Sequence, residues 1–131
     1  MGTLTDSGKA ALLNAWGALF DNSGGNHGQI VFETAAHAEV ATVDLNDNAF
    51  AAASGSGTVS IALVVSPAIS DLDATGNASP ITHAHLKTNA GAVMDDLVVD
   101  DAEGEGVDIV LTSLTYAAHE KLFIDSGSYE L

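Results

Sequence analysis

Residues 81–116, ITHAHLKTNAGAVMDDLVVDDAEGEGVDIVLTSLTY, decide the fold class of this chain. Between 81 and 88 the side chains alternate. Ile81, His83, His85 and Lys87 point one way, and Thr82, Ala84, Leu86 and Thr88 the other, which is the period of a β-strand. Asn89-Ala90-Gly91 turns the chain, residues 92–99 form a second strand, and residues 100–106 are an acidic loop. Residues 107–116 carry the strongest strand expectation. There Val107, Ile109 and Leu111 share one face while Leu114 and Tyr116 share the other. That change of parity predicts a bulge, or a strand covered on both faces.

The same period extends outward. QIVFET (29–34), AEVATVDL (38–45) and TVSIALVV (58–65) read as strands, the last with Val59, Ile61 and Leu63 on one face. Residues 66–80 read as a loop or short broken strand, and residues 122–131 as a last strand around Gly127. One segment breaks the rule: over residues 6–21, Leu12, Leu13, Trp16, Leu19 and Phe20 follow helical spacing. Thr5, Asp6 or Ser7 can cap this helix, and Asn22-Ser23-Gly24-Gly25 ends it. Short strands joined by Gly- and Asn-rich turns predict one mainly β domain over residues 1–131. The expected architecture is an antiparallel β-sandwich, jelly-roll-like over about 28–131, with one N-terminal α-helix.

The chain has 131 residues, enough for a single core. Eighteen acidic residues against three lysines give a net charge of −15. Without arginine or clustered lysine, nucleic acid and anionic membrane surfaces are excluded as expected partners. No cysteine is present, so no disulfide framework or thiolate chemistry arises. The N-terminal MGTLTDSGKAALLNAW lacks a basic region and a long apolar run, which predicts no secretory leader. No window is apolar enough to predict a spanning helix.

Three constellations could carry chemistry. His83-Ala84-His85 sets two imidazoles about 7 Å apart on one side of a strand, a recurring metal-ligand pair. Cupin-type jelly rolls follow such a pair with a nearby Glu, whereas Leu86, Lys87, Thr88, Asn89 and Ala90 follow here. A third ligand would have to come from His27, His37 or His119. With Lys87 on the histidine side, the bland alternative is a polar outer face. Asp71-Leu72-Asp73-Ala74-Thr75-Gly76 begins like a calcium loop, with Asp71, Asp73 and Thr75 as oxygen donors, but its twelfth position is Thr82 rather than Glu. Asp, Asn and Gly also make ordinary turns. The D-x-D-x-T string matches the haloacid-dehalogenase nucleophile motif, whose parallel α/β sheet this pattern excludes. The acidic cluster Asp95, Asp96, Asp100, Asp101, Glu103 and Glu105 has the charge to collect a divalent cation, but a charge run of this kind reads first as a solvated loop. Nucleophile elbow, phosphate loop and aromatic cleft are all missing, so no catalytic residue and no cofactor is expected. By residue chemistry alone the chain declares no activity.

Taken in order, several stretches resemble small structural proteins of tailed bacteriophages. They are the helix ending in LFDN, AFAAASGSGTVSIAL, SDLDATGNAS, HLKTNAGAVMDDLVV and VDIVLTSLTY. AHAEVATVDL departs by lacking a Gly-Pro loop, and LFIDSGSYEL is longer than is usual. The resemblance implies a non-enzymatic virion component, made in the host cytoplasm and carried on the capsid exterior. Such a capsid decoration, or cement, protein binds the major capsid protein of its own virion, commonly as a homotrimer. A tail or tail-fibre subunit is the near alternative. A metal-binding jelly-roll enzyme using His83 and His85 is the alternative of another class. For self-association, the helix stripe of Leu12, Trp16, Leu19 and Phe20 is the expected interface.

Overall fold

The structure, a computed structural model, describes residues 2–131. It holds one helix, α1 (Asp6–Ala18), and nine strands: β1 (Gln29–Thr34), β2 (Glu39–Asp44), β3 (Ser54–Ser56), β4 (Thr58–Ala62), β5 (Ser70–Asp71), β6 (Ile81–Lys87), β7 (Val93–Asp100), β8 (Ile109–Leu111) and β9 (Leu122–Glu130). The strands run in the order β2-β1-β6-β7-β8-β9-β4-β3, with β5 paired to β9 off this path. The sheet curls into a half-barrel, a mainly β fold with one helix as the residue pattern predicts. All pairings are antiparallel except a short parallel bridge, Val99 with Ile109 and Asp100 with Val110.

Alternation places the core inside the curl. Ile30 and Phe32 of β1, Ala84 and Leu86 of β6, and Leu97 and Val99 of β7 are all buried; Phe32, Ala84 and Leu97 stand in register across the three strands, and Ile30 pairs with Leu86. Their neighbours Glu33, His83, His85 and Asp96 therefore stand together on the convex face. The phase of β6 breaks at its start: Ile81 is buried although it shares parity with His83. A bulge explains this, because Glu33 pairs with His83 while the next residue, Thr34, pairs with Ile81.

Two turns of one design connect the strands of this region. Thr88 N–H donates to Ala92 O (2.9 Å) and Gly91 N–H to Thr88 O (2.9 Å), with Gly91 at φ 85°. At the β1–β2 connection Thr34 N–H donates to Ala38 O (3.0 Å) and His37 N–H to Thr34 O (2.9 Å), with His37 at φ 63°. Both are three-residue hairpin loops closing on a left-handed residue. Thr34 and Thr88, the buried polar residues of the core, each accept a turn N–H through Oγ1.

Helix α1 is shorter than residues 6–21. Thr5 caps it, accepting Gly8 N–H on Oγ1 (3.1 Å). After Ala18 the chain tightens to i→i−3 bonds, Leu19 to Trp16 and Phe20 to Gly17, both 3.1 Å. Asn89 from the β6–β7 turn then satisfies the exposed carbonyls, donating to Leu19 O (3.0 Å) and Asp21 O (2.8 Å). The tightened end rotates Phe20 fully into the core, so Phe20 is no outward interface residue. The expected single stripe is split. Leu13, Gly17 and Phe20 face β4 and Phe50, while Leu12 and Leu19 are exposed. Trp16 is half-buried between Phe20, Phe50 and Tyr129, with ring centroids 4.8, 5.4 and 4.6 Å away.

The strand expected over 107–116 contracts to β8. Beyond Leu111 the backbone leaves the ladder because Asn77 takes over its partners. Asn77 N–H donates to Tyr116 O (3.0 Å), its Nδ2 to Leu114 O (3.0 Å), and its Oδ1 accepts Tyr116 N–H (2.9 Å). The change of parity at Leu114 therefore marks an exit from the sheet.

Candidate metal centre

Glu33 is the one acidic residue of strand QIVFET, and the β1–β6 register sets it directly across from His83. Its Oε1 lies 3.0 Å from His83 Nε2 and 3.0 Å from His85 Nε2, the latter a diagonal neighbour. His37, lifted over the sheet by its left-handed backbone, brings Nδ1 to 3.3 Å from the same oxygen. The four donor atoms all lie within 4.8 Å of one another. The acidic ligand missing after His85 in sequence is thus supplied by the neighbouring strand.

The outward nitrogens are held too. His83 Nδ1 is 3.0 Å from Thr82 Oγ1, and His85 Nδ1 is 2.5 Å from Asp96 Oδ1, its direct partner on β7. These contacts select Nε2 as the inward atom of both rings. Side-chain exposure grades from 14% at Glu33 through 21% and 26% at His83 and His85 to 74% at His37, so the site opens on the turn side. Burial pushes the Glu33 carboxyl up. Hydrogen bonds from His83 and His37 and the charge of His85 outweigh it and hold that carboxyl below its ordinary value. Three imidazole nitrogens and one carboxylate oxygen suit a borderline transition metal better than an all-oxygen cation such as calcium.

The other candidate residues lie apart. His27 Nδ1 is bound to Leu45 O (2.8 Å), and His119 Nδ1 to Asp73 Oδ1 (2.5 Å). Asp71 has both carboxylate oxygens engaged by amides, Oδ2 by Thr42 N–H and Oδ1 by Asp73 N–H, both 2.9 Å. Its Oδ2 ties the β2 edge to β5, and Thr75 N–H reaches Val40 O (2.8 Å) across the same seam. Asp71 and Thr75 close the curl of the sheet. Beneath Trp16, Phe50, Leu97 and Tyr129 there is an apolar gap of about 10 Å³, barely a water molecule's worth.

Glu33 is the residue that sequence spacing missed. It sits 50 positions from His83 and no local motif links the two. The available signal was a carboxylate directly after the apolar run Ile30-Val31-Phe32. Comparison with protein-family models, curated proteins and solved structures finds no match to this chain. Among the described residues no helix is long and apolar enough to cross a membrane.

Proposed function

We propose that this chain is a non-enzymatic structural protein of a tailed-phage virion, a decoration or cement protein. It binds the outside of the major capsid shell and stabilises it, as a homo-oligomer and most simply a trimer. The observation that carries this reading is the order of the resembling stretches from the end of α1 to β8. LFDN closes α1, AFAAASGSGTVSIAL spans β3 and β4, SDLDATGNAS holds β5, HLKTNAGAVMDDLVV spans the β6–β7 hairpin, and VDIVLTSLTY begins at β8. A net charge of −15 supports an outward-facing position away from packaged DNA. Lys9 on α1, Lys87 at the end of β6 and Lys121 just before β9 lie on separate segments of the chain.

The test is binding of the purified chain to shells of the major capsid protein of the same virion. Saturable binding to the shell exterior, with a higher temperature of particle disruption, is the expected result. Failure to bind the shell, or density for this chain on the tail, overturns the capsid assignment.

A second reading, a metal-dependent jelly-roll enzyme, has the Glu33–His37–His83–His85 cluster in its favour. It predicts a turnover that appears with added metal and disappears in His83→Ala.

A further inference from the structure

We propose that Glu33, His37, His83 and His85 form a four-ligand site for one divalent transition metal, zinc foremost. The ion would clasp the β1–β2 turn onto β6. Four observations converge on a cation at this place, and none of them depends on the virion reading.

First, the donors converge. Bonds of about 2.0–2.1 Å in a tetrahedron place neighbouring donors about 3.3 Å apart. Here the three nitrogens stand 3.0, 3.0 and 3.3 Å from Glu33 Oε1, and all four donors lie within 4.8 Å of one another, so binding draws the rings together around the ion. Second, the outer contacts aim the rings. Asp96 on His85 Nδ1 is the carboxylate–histidine–metal arrangement, and Thr82 does the same for His83. Third, the convergence needs positive charge at its centre. Glu33 Oε1 meets three ring nitrogens, and each contact is attractive only where that nitrogen carries a proton. One divalent cation supplies the same charge with all three rings neutral.

Fourth, the backbone at His37 is arranged for its side chain. The matching turn uses Gly91 at the left-handed position, where no Cβ is strained. The β1–β2 turn instead places a histidine there, at a cost of about 1–2 kcal/mol for an L-residue. That conformation delivers Nδ1 to the cluster. Strain at a non-glycine residue beside converging donors is where a functional constraint is expected.

The donor count assigns the role. Four protein ligands close a tetrahedral sphere, which is the pattern of structural rather than catalytic zinc. The surplus negative charge of the chain also favours cation uptake.

The test uses the tag-free full chain, stripped with chelator and titrated with Zn²⁺ by calorimetry, then with Co²⁺ followed by absorption. One zinc per chain, an intense four-coordinate cobalt spectrum and a melting temperature raised by several degrees are expected. His83→Ala and Glu33→Gln should abolish stoichiometric binding, and His27→Ala and His119→Ala should leave it intact. Asp96→Asn should keep the stoichiometry but weaken affinity about 10- to 100-fold. Absence of stoichiometric zinc, or binding that persists in a His83→Ala/His85→Ala double variant, overturns the proposal. Should a strand variant fail to fold, His37→Ala on the exposed turn decides instead. Weaker binding with an altered cobalt spectrum supports the clasp, and unchanged affinity and spectrum refute it. The virion reading invokes no metal, so it stands or falls separately.

Discussion

Glu33 and His83 face each other as direct partners on β1 and β6, with Oε1 and Nε2 3.0 Å apart across a separation of 50 residues. This pairing turns two histidines of a short strand motif into a four-donor cluster. It depends on register, since a slip of one residue would send Glu33 to the core face and Phe32 to the surface. Phe32 is fully buried and pairs with Ala84, itself buried. Burial of that apolar row therefore holds the polar row in place.

His37→Gly separates the two roles of the turn. In chelator-treated protein it should raise stability by about 1 kcal/mol, because glycine adopts the left-handed conformation without strain. With zinc present the order should reverse, the wild type melting higher. Thermal melts of both proteins with and without Zn²⁺ give the comparison. A variant less stable in chelator would show that the turn is unstrained by His37.

Both carboxylate oxygens of Asp71 accept backbone amides. Asp71→Ala leaves the Thr42 N–H at the β2–β5 seam without its acceptor and should destabilise the fold by about 1–3 kcal/mol. Calcium should leave the melting temperature of the wild type unchanged. A calcium-dependent rise would mean that the carboxylate prefers the ion to the two amides.

Both tyrosines should titrate above their ordinary range. Burial pushes the Tyr116 hydroxyl up, and the hydrogen bond to Asp95 does so for Tyr129, aided by burial. A group whose folded pKa is raised contributes stability that is complete below its unfolded pKa, about 10 for tyrosine. That contribution is lost as pH rises through the folded value. Stability should therefore fall above about pH 10, and Tyr116→Phe should flatten the fall. An ultraviolet titration of the native chain at the midpoint of free tyrosine would contradict this.

Leu12 and Leu19 form the exposed flank of α1. A Leu12→Glu/Leu19→Glu double variant should lower the oligomer mass measured by light scattering and leave the melting temperature of the subunit within a few degrees. Phe20→Glu should instead prevent folding, because it buries an unpaired charge in the core. Unchanged mass in the double variant would remove α1 from the subunit contact.

Periodicity alone located most of the strands. QIVFET is β1 residue for residue, and the buried row Val59, Ile61 and Leu63 follows from alternation in TVSIALVV. Such readings succeed because burying one face of a strand is a local demand on every second residue. Three features needed the folded chain. The strand over 107–116 stops at Leu111 because a side chain from elsewhere, Asn77, substitutes for a ladder partner. The β1–β2 turn was invisible because Ala35-Ala36-His37 carries no turn signal, and its geometry rests on Thr34 and on the tolerance of histidine for a left-handed backbone. The cluster itself joins a strand, a turn and a strand. The sequence by itself determined a mainly β domain with a capped helix and two histidines on one strand face. Only the tertiary structure decided what those histidines meet, because strand pairing is a long-range choice made by the apolar face on the other side of the sheet.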